Sequence, residues 1–224
     1  AILSEKSLTT TMATARELAD AVAQPVTLVG EPAGDPRFAV RLGARGGRRG
    51  SAGVAGLDEA SGGLVLFVDP GAQVLHVGAL VSVETPRRWG GIVGAVEDNA
   101  EAETGWVLGY DDSAFTLMIS TEATDDGDGK LITLRADQPY EFGRLHLVTA
   151  SYDGERAELT MDGVVVASSD APGGPILYSG EERLTVGAYR DVNEMFPHDG
   201  RIAALEIFDT PFSPFAFRKR FGAA

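Results

Sequence analysis

The sequence predicts an all-β fold in which short antiparallel strands build a sandwich or a barrel. From about residue 63 onward, short apolar runs such as GLVLFV, GWVLGY and KLITLRA alternate with turn sequences rich in Gly, Pro and Asp. Many short strands at even spacing with such turns are typical of sandwiches and barrels. In residues 156–163 (RAELTMDG), apolar and polar residues also alternate, and a period of two places one set on a buried face.

Residues 145–163 (LHLVTASYDGERAELTMDG) are predicted to form three consecutive antiparallel strands. The pairs Asp153-Gly154 and Asp162-Gly163 stand between the strand-like runs, and Asp-Gly is a strong signal for a tight hairpin turn. A slip of one residue would expose the whole apolar set, so the register is well defined. We expect these residues to face the core: Leu159 and Met161 with Leu147 or Val148, and Leu205 with Ile207.

The chain before residue 63 divides into two segments. Residues 9–24 (TTTMATARELADAVAQ) have helical spacing of apolar residues, so residues 1–24 are interpreted as an N-terminal helical extension. The apolar positions are Met12, Ala15, Ala19 and Val22. So short a helix needs tertiary support, and we expect it to contact the sandwich or another domain or chain. Residues 25–62 are rich in Gly and Arg, and their runs VTLVG and FAVRL are candidates for edge strands.

The composition excludes several classes of function. The 224 residues carry a formal net charge of −14, which opposes binding to nucleic acid and to anionic membranes. There is no cysteine, hence no disulfide and no thiol nucleophile, and no apolar run approaches the roughly 18 residues of a membrane helix. Because the sequence begins with Ala1 rather than Met, we expect it to be a piece of a longer protein.

Several motifs resemble those of a known family. RLHLVTASYDG is similar to a WHHVA-TYDG motif, AELTMDG to the L-LYVDG hairpin that follows it, and FPHDGRIAALEIF to a closing strand. On these motifs, residues 63–224 resemble a LamG-like jelly roll of the concanavalin A-like lectin/glucanase superfamily. The resemblance implies a two-sheet antiparallel β-sandwich. It also implies a module that binds carbohydrate or protein, usually within a larger secreted or cell-surface bacterial protein.

No familiar catalytic constellation is present. The sequence has no G-x-S-x-G, P-loop, G-x-G-x-x-G or H-E-x-x-H motif, and it lacks the E-x-D-x-x-E pattern of the superfamily's glucanases. We therefore expect a non-catalytic carbohydrate- or protein-binding module. Two alternatives remain open: a glycan hydrolase or lyase with an unrecognised carboxylate pair, and a structural or assembly domain.

The loop at residues 189–200 (YRDVNEMFPHDG) is the candidate binding site. It joins two predicted strands, and loops on a rigid scaffold commonly carry function. Its aromatic, amide, carboxylate and guanidinium groups suit a sugar or a protein hot spot. The predicted ligand-binding residues are Tyr189, Arg190, Asp191, Asn193 and His198.

Calcium is the one candidate cofactor that the sequence suggests. The loop TDDGDGK offers Asp125, Asp126 and Asp128, and carboxylate oxygens suit this ion. The resemblance places a calcium-binding carboxylate in the last strand, where Ala203 and Ala204 stand here. Asp199, one loop earlier, is the remaining candidate ligand.

Overall fold

A computed structural model of the protein describes residues 75–179, 182 and 184–208, together with four short strand segments before them. The predicted helix at residues 9–24 lies outside the described residues. So does the Arg-rich stretch that begins at Arg37, apart from one short strand at residues 40–42, and so does the chain after residue 208.

The described residues form sixteen β-strands and one 3-10 turn, Glu122–Thr124. In that part of the chain, no helix has the length and apolar character needed to cross a membrane. The strands, in chain order, are β1 Thr27–Leu28, β2 Val40–Leu42, β3 Gly56–Asp58, β4 Gly63–Val65, β5 Leu75–Val83, β6 Gly90–Asp98, β7 Glu103–Asp111, β8 Ala114–Ile119, β9 Ile132–Arg135, β10 His146–Tyr152, β11 Ala157–Met161, β12 Val164–Ser169, β13 Thr185–Val186, β14 Ala188–Arg190, β15 Met195–Pro197 and β16 Gly200–Phe208.

Two six-stranded sheets make up the sandwich. The first has the order β1-β13-β6-β7-β8-β9 and the second the order β12-β11-β10-β5-β16-β2. Neighbouring strands are antiparallel except at one end of each sheet, where β1 pairs with β13 and β2 with β16 in parallel. The strands β3–β4 and β14–β15 form separate two-stranded sheets. The prediction of an all-β, two-sheet antiparallel sandwich is confirmed.

The core lies between the two sheets and follows the alternation in the sequence. In β7, Trp106, Leu108 and Tyr110 face the core, and their neighbours face outward. Leu159 and Met161 are buried as predicted. Val148, which lies opposite Met161 across the β10–β11 pair, joins them, whereas Leu147 is not part of the cluster between the sheets.

The two Asp-Gly pairs form turns, as predicted. Asp162 and Gly163 both have positive φ (53° and 86°), the conformation that a two-residue hairpin loop requires. The carboxylate of Asp153 accepts hydrogen bonds from the backbone N–H groups of Glu155 (3.0 Å) and Arg156 (2.8 Å). Both turns thus connect their strands by local chemistry that is readable from the sequence.

His146 joins the β11–β12 turn to the loop before β10. Its Nδ1 lies 2.9 Å from Asp162 Oδ2, and its Nε2 accepts a hydrogen bond from the Glu141 backbone N–H at 3.1 Å. Because Nε2 is the acceptor, the proton of the neutral ring lies on Nδ1 and is donated to Asp162. The ring is buried, so its role is structural.

Residues 189–200 differ from the prediction of a long loop. The run RLTVGAY divides into β13 and β14 at Gly187, which has a φ of 84°, and β14 then turns back into β15. The Asp191 carboxylate accepts hydrogen bonds from the N–H groups of Asn193 (2.9 Å) and Glu194 (2.6 Å) and so closes the turn. The segment is therefore a hairpin of its own, called the β14–β15 hairpin below.

Replacing Leu159 with Ala should destabilise the protein by about 2–5 kcal/mol, because a fully buried side chain leaves a cavity that the core fills only in part. Urea unfolding measures this change. The exposed Val165→Ala variant is the matched control and should cost less than about 0.5 kcal/mol. Equal losses in the two variants would show that Leu159 does not belong to the core.

Candidate functional site

A pocket of about 90 Å³ lies on the outer face of the first sheet. Its floor is formed by outward-facing residues of three neighbouring strands, and its walls come from the turn before β6 and from the β14–β15 hairpin. The floor residues are Val107, Gly109, Thr116, Met118 and Thr133. Gly109 contributes no side chain, and a Cβ atom there would lie 2.4 Å from the Gly90 carbonyl oxygen.

Trp89 forms the exposed aromatic wall of the pocket. Its side chain is 44% exposed, and its φ of 55° places it in the left-handed region, which is unusual for a bulky residue. The Arg88 guanidinium lies 4.5 Å above the centre of the indole ring, and the Phe196 ring centre lies 5.5 Å away. An exposed indole is thus held in place at the mouth of the pocket.

The β14–β15 hairpin forms the opposite wall. Tyr189 is buried against Val96 and Val107, and its hydroxyl donates a hydrogen bond to Asp98 Oδ2 at 2.8 Å. Burial raises the pKa of Tyr189, and the neighbouring Asp98 carboxylate raises it further. At its turn the hairpin is also tied to β6, because the Val192 N–H donates to Glu97 Oε1 at 3.1 Å. The wall is therefore fixed at both ends.

Gly91 allows the hairpin to lie directly on β6. A Cβ atom at residue 91 would lie 1.7 Å from the Tyr189 backbone nitrogen and 2.0 Å from the Ala188 carbonyl carbon. No side chain fits in that space, and the obstacle is backbone that cannot rotate away. The adjacent Gly90 has the same role towards Tyr110, whose ring atom Cζ would lie 2.1 Å from a Cβ at residue 90.

Asp111 brings an uncommitted acceptor to the pocket. Its Oδ1 atom is buried and has no hydrogen-bond partner. Arg88 Nε lies 4.0 Å from Oδ1 and Arg135 Nε lies 4.0 Å from Oδ2, which gives attraction without a hydrogen bond. Arg135 instead donates from Nη2 to the Asp111 carbonyl at 3.3 Å.

His198 lies behind the pocket and contacts its wall through Tyr110. The two rings meet edge to face with centres 5.5 Å apart, and the Tyr110 hydroxyl accepts a hydrogen bond from the Asp199 N–H at 3.1 Å. Burial lowers the pKa of His198 to about 4, although backbone groups of Ser82 and Arg201 partly offset that effect. Neither ring nitrogen has a hydrogen bond of ordinary geometry. The ring is therefore neutral at neutral pH.

The five predicted ligand-binding residues do not meet in one pocket. Tyr189 lines the pocket, Asp191 and Asn193 form the hairpin turn, and His198 packs behind Tyr110. Arg190 follows Tyr189 in β14, so its side chain points to the other face of that strand. A ligand contact by these residues, Tyr189 included, stays a prediction.

Three of the four predicted calcium-binding carboxylates have partners within the protein. Asp125 Oδ1 accepts hydrogen bonds from the N–H groups of Gly127 and Gly129, both at 2.9 Å, and these bonds lower the pKa of Asp125. Asp126 pairs with Lys130 at 3.0 Å, and Asp199 pairs with Arg87 at 3.3 Å. Asp128 contributes its backbone carbonyl, which accepts from the Glu103 N–H. Among the described residues, no three His, Asp or Glu side chains are grouped to hold a metal ion.

Among the described residues that line the pocket, Asp111 is the only carboxylate. A retaining glycosidase needs two carboxyl groups about 5–5.5 Å apart. The pocket offers one carboxylate, two threonine hydroxyl groups and an aromatic face, with two guanidinium groups nearby, a set suited to binding.

A laminin G-type family model, described as the concanavalin A-like lectin/glucanases superfamily, matches residues 77–215. The chain belongs to this superfamily. The match contains the whole pocket and both long sheets' central strands. A search of curated protein sequences found no match.

Solved structures of similar fold include the CBM40 of Ruminococcus gnavus IT-sialidase. Its complex with α2,3-sialyllactose has a TM-score of 0.55 and 12% identity, over 68% of this chain and 85% of that chain. The complex with α2,6-sialyllactose has a TM-score of 0.53 and 10% identity, over 64% of this chain and 80% of that chain. A leech intramolecular trans-sialidase has a TM-score of 0.50 and 10% identity, over 69% of this chain and 24% of that chain. At such identities the likeness shows the fold alone.

The sequence did not reveal the residues that build the pocket, among them Trp89, Asp111, Thr116 and Thr133. One local signal was available. The run RRWGG places a large aromatic residue between two arginines and two glycines at the start of a strand. A bulky residue beside paired glycines indicates a close approach of another segment and an aromatic side chain held at the surface.

Replacing Gly91 with Ala should destabilise the protein by about 1–3 kcal/mol, because the added methyl group overlaps the hairpin backbone. Urea unfolding measures the loss, and faster amide exchange in β14 should show that the hairpin has moved. Gly173→Ala is the matched control, since its Cβ would lie 3.1 Å from a single side-chain carbon, that of Ala123. A Gly91→Ala protein as stable as the control would refute the tight contact.

The half-buried His198 should make stability fall as pH drops from about 6.5 to about 4. The unfolded chain binds a proton in that pH window while the folded protein does not, so proton binding stabilises the unfolded state relative to the folded state. The full effect is about 3 kcal/mol, complete below pH 4 and absent above pH 6.5. Urea unfolding of wild type and His198→Phe at several pH values isolates this contribution. Parallel stability curves for the two proteins would show that His198 does not titrate in this way.

Proposed function

We propose that the chain is a non-catalytic carbohydrate-binding module of a larger secreted or cell-surface protein, and that a sugar ring binds in the pocket beside Trp89. The observation that carries the proposal is an exposed indole, held by Arg88 and Phe196, beside a pocket that also contains the partly exposed carboxylate of Asp111. Ligand sites commonly combine an apolar surface with a few convergent polar groups.

The chemistry of the pocket matches that of a sugar. A pyranose ring presents an apolar C–H face, which suits the indole of Trp89, and hydroxyl groups, which can donate to the exposed part of the Asp111 carboxylate. Thr116 and Thr133 add hydroxyl groups at the floor and edge. The volume of about 90 Å³ corresponds to on the order of three water molecules, so a sugar ring would lie partly in the pocket and partly against the exposed indole.

Acidic glycans are the first class to test. The guanidinium groups of Arg88 and Arg135 border the pocket in a chain whose net charge is −14, and guanidinium pairs well with carboxylate. Two of the solved structures of similar fold are sialidase modules bound to sialyllactose. We therefore include sialylated glycans beside neutral ones on a glycan array, and measure each hit by calorimetry.

Binding to a protein is the second candidate function. Trp89, Val192 and Met195 expose 44%, 76% and 51% of their surface at the pocket wall and the hairpin, with Arg88 beside them. Trp and Arg are enriched in protein hot spots. A glycan array without any hit would favour this candidate over the first.

Replacing Trp89 with Ala should weaken the affinity for the array's strongest glycan at least about tenfold, or ~1.4 kcal/mol, because the stacking surface is lost. Titration calorimetry measures the affinity, and the melting temperature should fall by about 2–10 °C, because the indole loses only its contacts with Arg88 and Phe196. The control is Phe142→Ala, which removes another exposed aromatic ring that does not line the pocket. Unchanged affinity in the Trp89 variant would place the binding site elsewhere.

A further inference from the structure

A second concavity adjoins the pocket on the far side of β9. It is an open groove of about 560 Å³ between β9, at one edge of the first sheet, and β12, at the edge of the second. Thr133 lines both the pocket and the groove. The two concavities therefore form one continuous surface that passes over β9.

The sheet provides a flat path between them. Two rows of directly paired residues cross from β7 through β8 to β9. The rows are Val107–Met118–Thr133 and Gly109–Thr116–Arg135. Neighbouring strands lie about 4.8 Å apart, so the path from β7 to β9 is about 10 Å long. One sugar ring beside Trp89 does not cover this distance, whereas a second ring would reach Thr133 and the rim of the groove.

The groove has the mixed chemistry of a glycan surface. Val166 and Ala167 line it together with Ser168, Ser169 and Asp137, so apolar patches alternate with hydroxyl and carboxylate groups. The Asp137 N–H donates to the Val166 carbonyl at 3.0 Å and bridges the two sheets at its base. The groove is thus part of the rigid sandwich.

The edge of β12 is poorly suited to pairing with an added strand. The β11–β12 register shifts at Leu159/Thr160, and such a bulge interrupts a regular edge. Arg156 also spans the edge, with hydrogen bonds to Asp170 (2.5 Å) and Ser168 Oγ (2.8 Å). An extended peptide strand is therefore a poorer occupant of the groove than a glycan that crosses β9.

We propose that the protein binds an oligosaccharide across both concavities, with the terminal ring beside Trp89 and the following rings over Thr133 and in the groove between β9 and β12. This inference rests on the proposed glycan binding at Trp89 and extends it to the length of the ligand. The protein then selects oligosaccharides over the terminal monosaccharide.

The test compares ligand lengths by titration calorimetry. The probe is 3′-sialyllactose against its terminal sialic acid or, where the array selects another glycan, that oligosaccharide against its terminal monosaccharide. The wild type should bind the oligosaccharide at least about tenfold more tightly. Ala171→Trp, which places a large ring in the groove from an exposed position, should bring the oligosaccharide affinity down to that of the monosaccharide. Ala100→Trp, the same change at an exposed turn away from the groove, should leave the difference intact.

Each outcome decides a separate point. A wild type that binds both probes equally, or an Ala171→Trp protein that keeps the full difference, overturns the extended site while glycan binding at Trp89 stands. No binding to any array glycan overturns the proposed function, and the extended site with it. Thermal unfolding of both Trp variants excludes a general loss of structure as the cause.

Discussion

The close approach of the Ala188–Tyr189 backbone to Gly91 is the constraint on which the pocket depends. Because residue 91 has no side chain, the β14–β15 hairpin lies directly on the outer face of β6. Tyr189 then reaches Val107 and Asp98, and Phe196 reaches the indole of Trp89. One missing methyl group therefore sets the position of both walls of the pocket.

The charges around the hairpin support the same arrangement. Glu97 is buried, and its carboxylate accepts from the Asn99 side chain at 2.7 Å and from the Val192 N–H at 3.1 Å. Asp191 is also buried and closes the hairpin turn. Hydrogen bonds to charged groups are stronger than those between neutral groups, so this acidic end of β6 holds the hairpin despite the cost of burying carboxylates.

Much of the sandwich could be predicted from the sequence, because its signals are local. The alternation at residues 157–161 determines which residues face the core, and Asp162-Gly163 determines the turn that follows. The pocket could not be predicted in this way. Trp89, Gly109 and Thr133 belong to separate strands or turns, and no local pattern states which strands become neighbours.

The β14–β15 hairpin could not be predicted from the sequence for a related reason. Residues 189–200 are polar and irregular, and their pairing depends on contacts from outside the segment, such as those of Gly91 and Glu97. Recognition by these residue types stays a prediction, and three residues of the segment serve the hairpin itself. Tyr189 donates to Asp98, Asp191 caps the turn, and Phe196 stacks on Tyr189 and on Trp89.

The contacts of the indole with Arg88 and Phe196 explain how the strained backbone at Trp89 is tolerated. A left-handed conformation costs a non-glycine residue about 1–2 kcal/mol. The Arg88 guanidinium above the indole offsets about 0.5–1 kcal/mol of this cost, and contact with Phe196 offsets about 0.5–1.5 kcal/mol. The ring is therefore held before any ligand arrives, which avoids a cost of about 0.5–1.5 kcal/mol for immobilising a side chain on binding. Since Phe196 belongs to the hairpin that packs on Gly91, we expect the proposed affinity at Trp89 to depend on that packing as well, which couples the sandwich to the proposed site.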